Sequence, residues 1–135
     1  MKLFVDDIRT VTMSHNLEKG LGVVNDFVIV RDDKSFMEAV DKNFDKIELV
    51  SFDHDLALVN ENGDEFTGKK ACEYIIDKCL DTGKKFPDWY AHSDNTCGRE
   101  NIIKLIVNFM DKVEGVDVSG YRYFHKGYIN GKFVE

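Results

Sequence analysis

Proline is scarce in this sequence, since Pro87 is the only one among 135 residues. Internal repeats, low-complexity tracts and linker-like segments are also absent, so no shift in composition divides the chain. A chain of this length can bury a hydrophobic core without disulfides or metals to support it. We therefore predict that residues 1–135 form a single domain.

Cysteines are few, and their spacing fits neither a disulfide framework nor a zinc site. Cys72, Cys79 and Cys97 are odd in number and contain no Cys-x-x-Cys or Cys/His metal motif. Cys72 and Cys79 lie seven residues apart, on one face of a predicted helix, so we expect both thiols in the core. Nothing in the sequence around Cys97 indicates an activated thiol.

Long apolar runs and basic clusters are missing as well. No run is long enough to cross a bilayer, and Asp6 and Asp7 interrupt the N-terminal stretch where a signal peptide needs apolar residues. We therefore expect a cytoplasmic protein with no membrane partner. The net charge of −7 argues against an extended nucleic-acid surface, but it allows a local site for a phosphorylated small molecule or an RNA end.

Short apolar runs alternate with segments of helical periodicity. The apolar runs predict strands at residues 2–5, 27–30, 47–52, 88–93 and about 121–125, and the periodic segments predict helices at residues 32–44, 67–80 and 100–113. Thr67 is a plausible N-cap for the second helix. Asn130-Gly131 suits a type I′ turn and predicts a C-terminal hairpin. Residues 10–21 have a weak helical pattern.

This alternation predicts a largely parallel sheet whose crossover helices cover both faces. We expect a three-layer, flavodoxin-like α/β sandwich with five mainly parallel strands in the order 2-1-3-4-5. Sheets of this kind bind ligands beyond the carboxyl ends of their strands, at the switch point between strands one and three.

Polar and charged side chains follow four of the predicted strands. They are Asp6, Asp7 and Arg9 after strand one, Asp53, His54 and Asp55 after strand three, His92, Ser93 and Asn95 after strand four, and His125 and Lys126 after strand five. Carboxylates brought to one edge of a sheet would repel each other, which indicates a bound cation. Oxygen ligands from Asp6, Asp7 and either Asp53 or Asp55 suit Mg²⁺ or Mn²⁺. The alternative is that some of these aspartates only cap helices or turns.

The histidines add groups that can transfer protons. Carboxylates favour the imidazolium form and a bound metal opposes it, so His54 and His92 are candidates for proton exchange near neutral pH. A lone histidine at a strand end is more often structural, but two of them beside acidic residues favour catalysis. Residues 93–102 lead into a helix whose N-terminus can receive an anion, with Arg9 and Arg99 as phosphate contacts. Simple capping by Asn95 or Thr96 is the alternative.

Five short motifs together resemble one known family. DDIR at 6–9, FDHDL at 52–56, TG at 67–68, HSDN at 92–95 and GRENI at 98–102 are similar to the motifs of the cyclic-phosphate-processing receiver-like domains, an offshoot of the response-regulator receiver fold. The resemblance spans nearly the whole chain and implies a receiver-like domain that holds a divalent metal on Asp6, Asp7 and either Asp53 or Asp55. It also implies that His54 and His92 are the distinctive additions, that Ser93 stands where receivers keep a small hydroxyl residue, and that Lys126 or His125 lies near the receiver lysine.

The chain departs from the pattern of that family at two places. Ala57 replaces the glycine expected after FDHDL, and the tail after His125 is too short for a full last helix of the receiver type. The second departure makes an ordinary phosphorelay role less favoured, because the signalling face of a receiver would be missing.

Together these observations predict a metal-dependent phosphoesterase that acts on the cyclic phosphate of a nucleotide or an RNA end. The predicted catalytic residues are His54, His92 and Asp55, the predicted ligands of Mg²⁺ or Mn²⁺ are Asp6, Asp7 and Asp53, and the predicted substrate contacts are Arg9, Ser93, Asn95, Arg99 and Lys126. Two alternatives remain open. One is a non-catalytic receiver-like module that accepts phosphate on Asp53 or Asp55 or binds a nucleotide, and the other is a small interaction protein with a structural metal.

Overall fold

Twelve short elements were assigned in the computed structural model, which describes residues 1–5, 27–53, 58–59, 65–92 and 96–135. In chain order, the elements are strands β1 (Lys2–Val5) and β2 (Phe27–Val30), helix α1 (Asp33–Asn43), a 3₁₀ turn (Phe44–Lys46), strands β3 (Leu49–Phe52), β4 (Leu58–Val59) and β5 (Glu65–Phe66), helix α2 (Gly68–Thr82), strand β6 (Asp88–Ala91), helix α3 (Thr96–Lys112), and strands β7 (Gly127–Ile129) and β8 (Lys132–Val134).

The main sheet has the strand order β2-β1-β3-β6-β7-β8. Its first four strands are parallel to one another, and β7 and β8 are added antiparallel. The predicted α/β fold with a mainly parallel sheet is confirmed, and so are the first four positions of the predicted order. The predicted count of five strands is wrong, because the C-terminal hairpin contributes two strands to the sheet. The structure also contains a small antiparallel pair of β4 and β5, which the sequence pattern does not predict.

The segment predicted as strand five, residues 121–125, is not a strand. Residues 122–125 form a β-turn in which the backbone N–H of His125 donates to the carbonyl of Arg122 at 2.9 Å, and β7 begins only at Gly127. The aromatic composition was misleading, because β-propensity reflects side-chain packing more than backbone preference. The hairpin that follows is confirmed, since Asn130 and Gly131 both have the positive φ angles, 54° and 78°, that a type I′ turn requires.

The ends of the helices follow local capping chemistry. The predicted N-cap of α2 is confirmed, since the side chain of Thr67 accepts a hydrogen bond from the backbone N–H of Lys70. Helix α3 begins at Thr96, four residues before its predicted start, because its first turn carries no apolar stripe that a periodicity argument could detect. Strand β6 ends at Ala91 rather than at residue 93, so His92 lies just beyond the strand.

Both faces of the central strands are buried. All three described helices pack on one face, in a core that contains Leu3, Val5, Val50, Phe52 and Trp89 from the strands and Phe36, Ile75 and Ile106 from the helices. The opposite face holds a second cluster, formed by Phe4, Leu49, Tyr90 and Ile129. The weak helical pattern at residues 10–21 lies outside the described residues.

The thiols of α2 belong to the core, as predicted. Cys72 and Cys79 are buried, and Cys97 in the first turn of α3 is exposed. Burial raises the pKa of the Cys79 thiol to about 12 and raises that of the Cys72 thiol still further. Both thiols are therefore protonated and unreactive at neutral pH. Separately, none of the helices in the described ranges combines the length and the apolar character needed to cross a membrane.

Candidate active site

The parallel strands β1, β3 and β6 end together at one edge of the sheet, which we call the carboxyl edge. Val5, Phe52 and Ala91 are aligned as ladder partners at the ends of these strands. The ladder continues for one more step, because the N–H of Asp53 donates to the carbonyl of Val5 at 3.0 Å and the N–H of His92 donates to that of Phe52 at 2.8 Å. The backbone therefore fixes Asp53 and His92 side by side at the carboxyl edge.

His92 is held by its side chain as well as by its backbone. Its Nδ1 atom lies 2.7 Å from the Oγ of Ser51, and its ring stacks on Phe4 with the ring centroids 4.3 Å apart and the planes inclined by only 9°. Ser51 is completely buried and His92 is only 4% exposed. Because side chains alternate along a strand, Ser51 and His92 project from the same face as Phe4. The hydrogen bond to Ser51 and the stacking on Phe4 together fix the orientation of the imidazole ring.

The contact with Ser51 suits an imidazole that changes its charge. A serine hydroxyl can donate to Nδ1 of a neutral imidazole, or it can rotate and accept from the Nδ1–H of the other tautomer or of the imidazolium. A hydrogen bond between the Oγ of Ser51 and the Nδ1 of His92 is therefore compatible with either form of the ring.

Asp53 lies at the same edge and is largely buried, with 7% of its surface exposed. The first residue of α2, Gly68, packs directly on the backbone of Asp53, since a Cβ atom at residue 68 would lie only 2.0 Å from the carbonyl oxygen of Asp53. The end of β3 and the start of α2 are therefore in close contact. This contact limits the positions that Asp53 can adopt.

Lys126 reaches the carboxyl edge by a route that differs from the predicted one. It does not follow a fifth parallel strand; it precedes β7, which runs antiparallel to β6. The carbonyl of Lys126 accepts from the N–H of Ala91 at 2.8 Å, and its own N–H donates to Val134 at 2.8 Å. Reversing the direction of the last strand places the residue before it, rather than the residue after it, beside the end of β6.

Arg99 lies in the first turn of α3 and is partly buried. Burial raises the pKa of Tyr90 to about 12, and the positive charge of Arg99 acts in the opposite direction. Burial and Glu100 also raise the pKa of Tyr121, again against the charge of Arg99. Arg99 is therefore within electrostatic reach of both β6 and the segment that precedes β7.

Seven of the predicted site residues lie outside the described residues, and their assignments stay predictions. They are Asp6, Asp7, Arg9, His54, Asp55, Ser93 and Asn95. Within the described ranges there is no group of three or more histidine, cysteine, aspartate or glutamate side chains that could hold a metal ion.

Two neighbours of His92 were not predicted from the sequence, namely Ser51 and Phe4. The predicted strand at residues 47–52 is mostly apolar, and its composition does not mark Ser51 as a site residue. The available signal was the spacing: Ser51 lies two residues before Asp53, so it faces the same side of the sheet as the first acidic residue beyond the strand.

The fold and the edge define a receiver-like α/β domain that keeps an aspartate at the end of β3 and adds a buried histidine at the end of β6. A family model described as the cyclic-phosphate processing receiver domain matches residues 1–108, and the chain belongs to this family. The matched residues include the whole described carboxyl edge except Lys126, which lies in the C-terminal segment beyond them. Searches of curated proteins and of solved structures found no match to the chain.

Proposed function

We propose that this protein is a metal-dependent phosphoesterase that opens a cyclic phosphodiester, such as the 2′,3′-cyclic phosphate of a nucleotide or an RNA end. The family supports a role in cyclic-phosphate processing. The observation that carries the proposal is the fixed, buried imidazole of His92 beside Asp53 at the carboxyl edge. A site that only accepts phosphate on an aspartate has no need of such a proton-transfer group.

In this mechanism, a water oxygen forms a new bond to phosphorus and the bond from phosphorus to one ribose oxygen breaks. One of His54 and His92 takes the proton from the water, and the other donates a proton to the departing ribose oxygen. Ring opening thus consumes one water and leaves a phosphate monoester. Arg9, Arg99 and Lys126 would bind the phosphoryl oxygens, with Ser93 and Asn95 as further contacts.

Asp53 fits the role of a metal ligand, because its carboxylate is a hard oxygen donor that is buried where β1 and β3 meet. Asp6 and Asp7, which follow β1 in the sequence, would complete the acidic set for Mg²⁺ or Mn²⁺. When bound, the metal would offset the negative charge that grows on the phosphoryl oxygens. Asp55 would favour the imidazolium form of a neighbouring histidine.

Incubation with 2′,3′-cyclic nucleotides, with and without Mg²⁺ or Mn²⁺, tests the proposal. We expect conversion of the substrate to a nucleoside monophosphate, which chelation of the metal abolishes and added metal restores. The reaction is followed by ³¹P NMR, which distinguishes the 2′-phosphate product from the 3′-phosphate product. Absence of any product with either metal would refute the proposed activity. His15→Ala is the matched control for substitutions of His54 and His92, because His15 is the one histidine that does not follow a predicted strand.

The second candidate function is a receiver-like phosphoacceptor, which is favoured by Asp53 at the end of β3 and by Lys126 beside the end of β6. Incubation with acetyl phosphate separates the two functions. Stable, acid-labile phosphorylation that is lost in Asp53→Asn, together with no turnover of cyclic phosphates, would establish the phosphoacceptor instead.

The bond between Ser51 and His92 leads to a specific expectation. Ser51→Ala should lower kcat on a cyclic nucleotide by about tenfold, because a hydrogen bond that orients the ring contributes on the order of 1 to 1.5 kcal/mol. Ser51→Thr keeps the hydroxyl and should restore most of the activity. Imidazole ¹⁵N shifts should show a changed tautomer balance for His92 in Ser51→Ala alone. Equal kcat in all three proteins would contradict a positioning role for Ser51.

A further inference from the structure

The segment that leads into β7 forms a tightly bonded turn, which we call the 122–125 turn. Besides the bond that closes the turn, the backbone N–H of Arg122 donates to Nδ1 of His125 at 2.8 Å. The guanidinium Nη1 of Arg122 donates to the carbonyls of Ser119 and Tyr121, both at 2.9 Å. These bonds fix the backbone of the turn, so its two corner side chains are presented in a defined arrangement.

The corner residues of the turn are Tyr123 and Phe124, with 88% and 43% of their surfaces exposed. Turn corners usually hold glycine, proline, asparagine or aspartate, and exposed aromatic rings there contribute little to folding. Among the phenylalanine, tyrosine and tryptophan side chains whose burial the structure describes, these two are the exposed ones. Their rings are 5.5 Å apart and nearly perpendicular, at 84°. The ring of Phe124 also packs on His125, with the ring centroids 4.5 Å apart, so packing within the turn accounts for part of its burial and leaves the ring of Tyr123 almost fully exposed.

The charge around the turn is opposite to that of the whole chain. Residues 117–135 contain the basic side chains Arg122, Lys126 and Lys132 and the acidic side chains Asp117 and Glu135, whereas the chain as a whole carries a net charge of −7. A further acidic side chain approaches the segment, since Glu100 acts on Tyr121. Exposed aromatic rings beside basic side chains are typical of surfaces that bind single-stranded nucleic acid.

The turn also adjoins the carboxyl edge. Lys126 is bonded through its carbonyl to Ala91, the residue before His92, and Tyr123 lies three residues before Lys126. Three residues of chain span at most about 10 Å, so the Cα atom of Tyr123 lies within about 10 Å of that of Lys126 at the edge. The turn lies beyond residues 1–108, the part of the chain that the family model matches.

We propose that the 122–125 turn binds single-stranded RNA: Tyr123 and Phe124 stack on a nucleobase upstream of the terminal nucleotide, while the terminal cyclic phosphate occupies the carboxyl edge. The proposal rests on the proposed function and narrows its substrate class from nucleotides in general to RNA ends. The surface is local, with two rings and the nearby Lys126, and accommodates a short stretch of strand rather than an extended one.

The test compares a 2′,3′-cyclic mononucleotide with a fluorescein-labelled octauridylate that ends in a 2′,3′-cyclic phosphate. The double variant Tyr123→Ala/Phe124→Ala should lower kcat/KM on the oligonucleotide by about 10- to 100-fold and leave the mononucleotide within about twofold. Tyr123→Phe, which keeps the ring, should behave like the wild type. Leu80→Ala is the matched control, because Leu80 is a large apolar side chain that is 57% exposed on α2.

The outcomes separate this proposal from the proposed function. If the wild type opens both substrates equally well and the double variant changes neither reaction, the RNA surface is refuted and the activity stands. If the wild type binds the oligonucleotide through the two rings, as measured by fluorescence anisotropy, but opens no cyclic phosphate, the surface stands and the activity is refuted. Sedimentation that shows a dimer in the wild type and a monomer in the double variant would overturn the proposal in favour of self-association.

Discussion

We expect His92→Ala to lower kcat on a 2′,3′-cyclic nucleotide by about 10²- to 10⁴-fold, the range that a positioned acid or base contributes. The reason is that the ring of His92, the proposed proton-transfer group, is fixed at the carboxyl edge by Ser51 and Phe4. The KM should change by less than about threefold, since proton transfer acts in the transition state rather than in substrate binding. Initial rates over a range of substrate concentrations measure both constants.

His92→Ala also leaves the hydroxyl of Ser51 buried without this partner, which costs about 1–3 kcal/mol of stability. His92→Asn separates the two effects. The asparagine amide can reach the position of Nδ1 and keep the bond to Ser51, but it cannot exchange a proton near neutral pH. We therefore expect His92→Asn to unfold close to the wild type and to be as inactive as His92→Ala. Activity within about threefold of the wild type in His92→Asn would exclude proton transfer by this residue.

The central sheet could be predicted from the sequence because its strands are continuous apolar runs. Residues 2–5, 27–30, 49–52 and 88–91 are short and mostly apolar, as in buried parallel strands, although Val28 and Ile29 of the edge strand β2 are 42% and 36% exposed. The position of Asp53 and His92 at one edge followed from the same argument, since parallel strands bring their carboxyl ends together. The hairpin followed from Asn130-Gly131, whose backbone preferences are local.

The features that could not be predicted depend on contacts between distant segments. The hydrogen bond between Ser51 and His92 joins residues that are 41 positions apart, and neither residue alone indicates the other. The 122–125 turn has a strand-like composition. Only the hydrogen bond from the N–H of Ala91 to the carbonyl of Lys126 shows where pairing with β6 begins and hence where β7 starts. The direction of β7 is also a tertiary property, because the segment that joins β6 to β7 is long enough to allow either a parallel or an antiparallel strand.

At Gly68, a substitution by alanine has two opposing effects on stability. By propensity alone, alanine in the first turn of a helix should stabilise the protein by up to about 1 kcal/mol relative to glycine. At residue 68, however, the new Cβ would lie 2.0 Å from the carbonyl oxygen of Asp53 and 2.8 Å from its carbonyl carbon. These are backbone atoms held by the ladder to Val5, so they cannot move aside as a flexible side chain would.

We therefore expect Gly68→Ala to lower the free energy of unfolding by about 1–3 kcal/mol, because overpacking outweighs the gain in helix propensity. Gly120→Ala is the matched control. No atom lies within 4 Å of a Cβ at residue 120, so its effect should be below about 0.5 kcal/mol. Urea unfolding measures both values, and a Gly68→Ala protein as stable as the wild type would show that α2 does not press on Asp53. Because the displaced atoms belong to Asp53, kcat/KM should fall in the protein that remains folded, which would connect the start of α2 to the chemistry at the carboxyl edge.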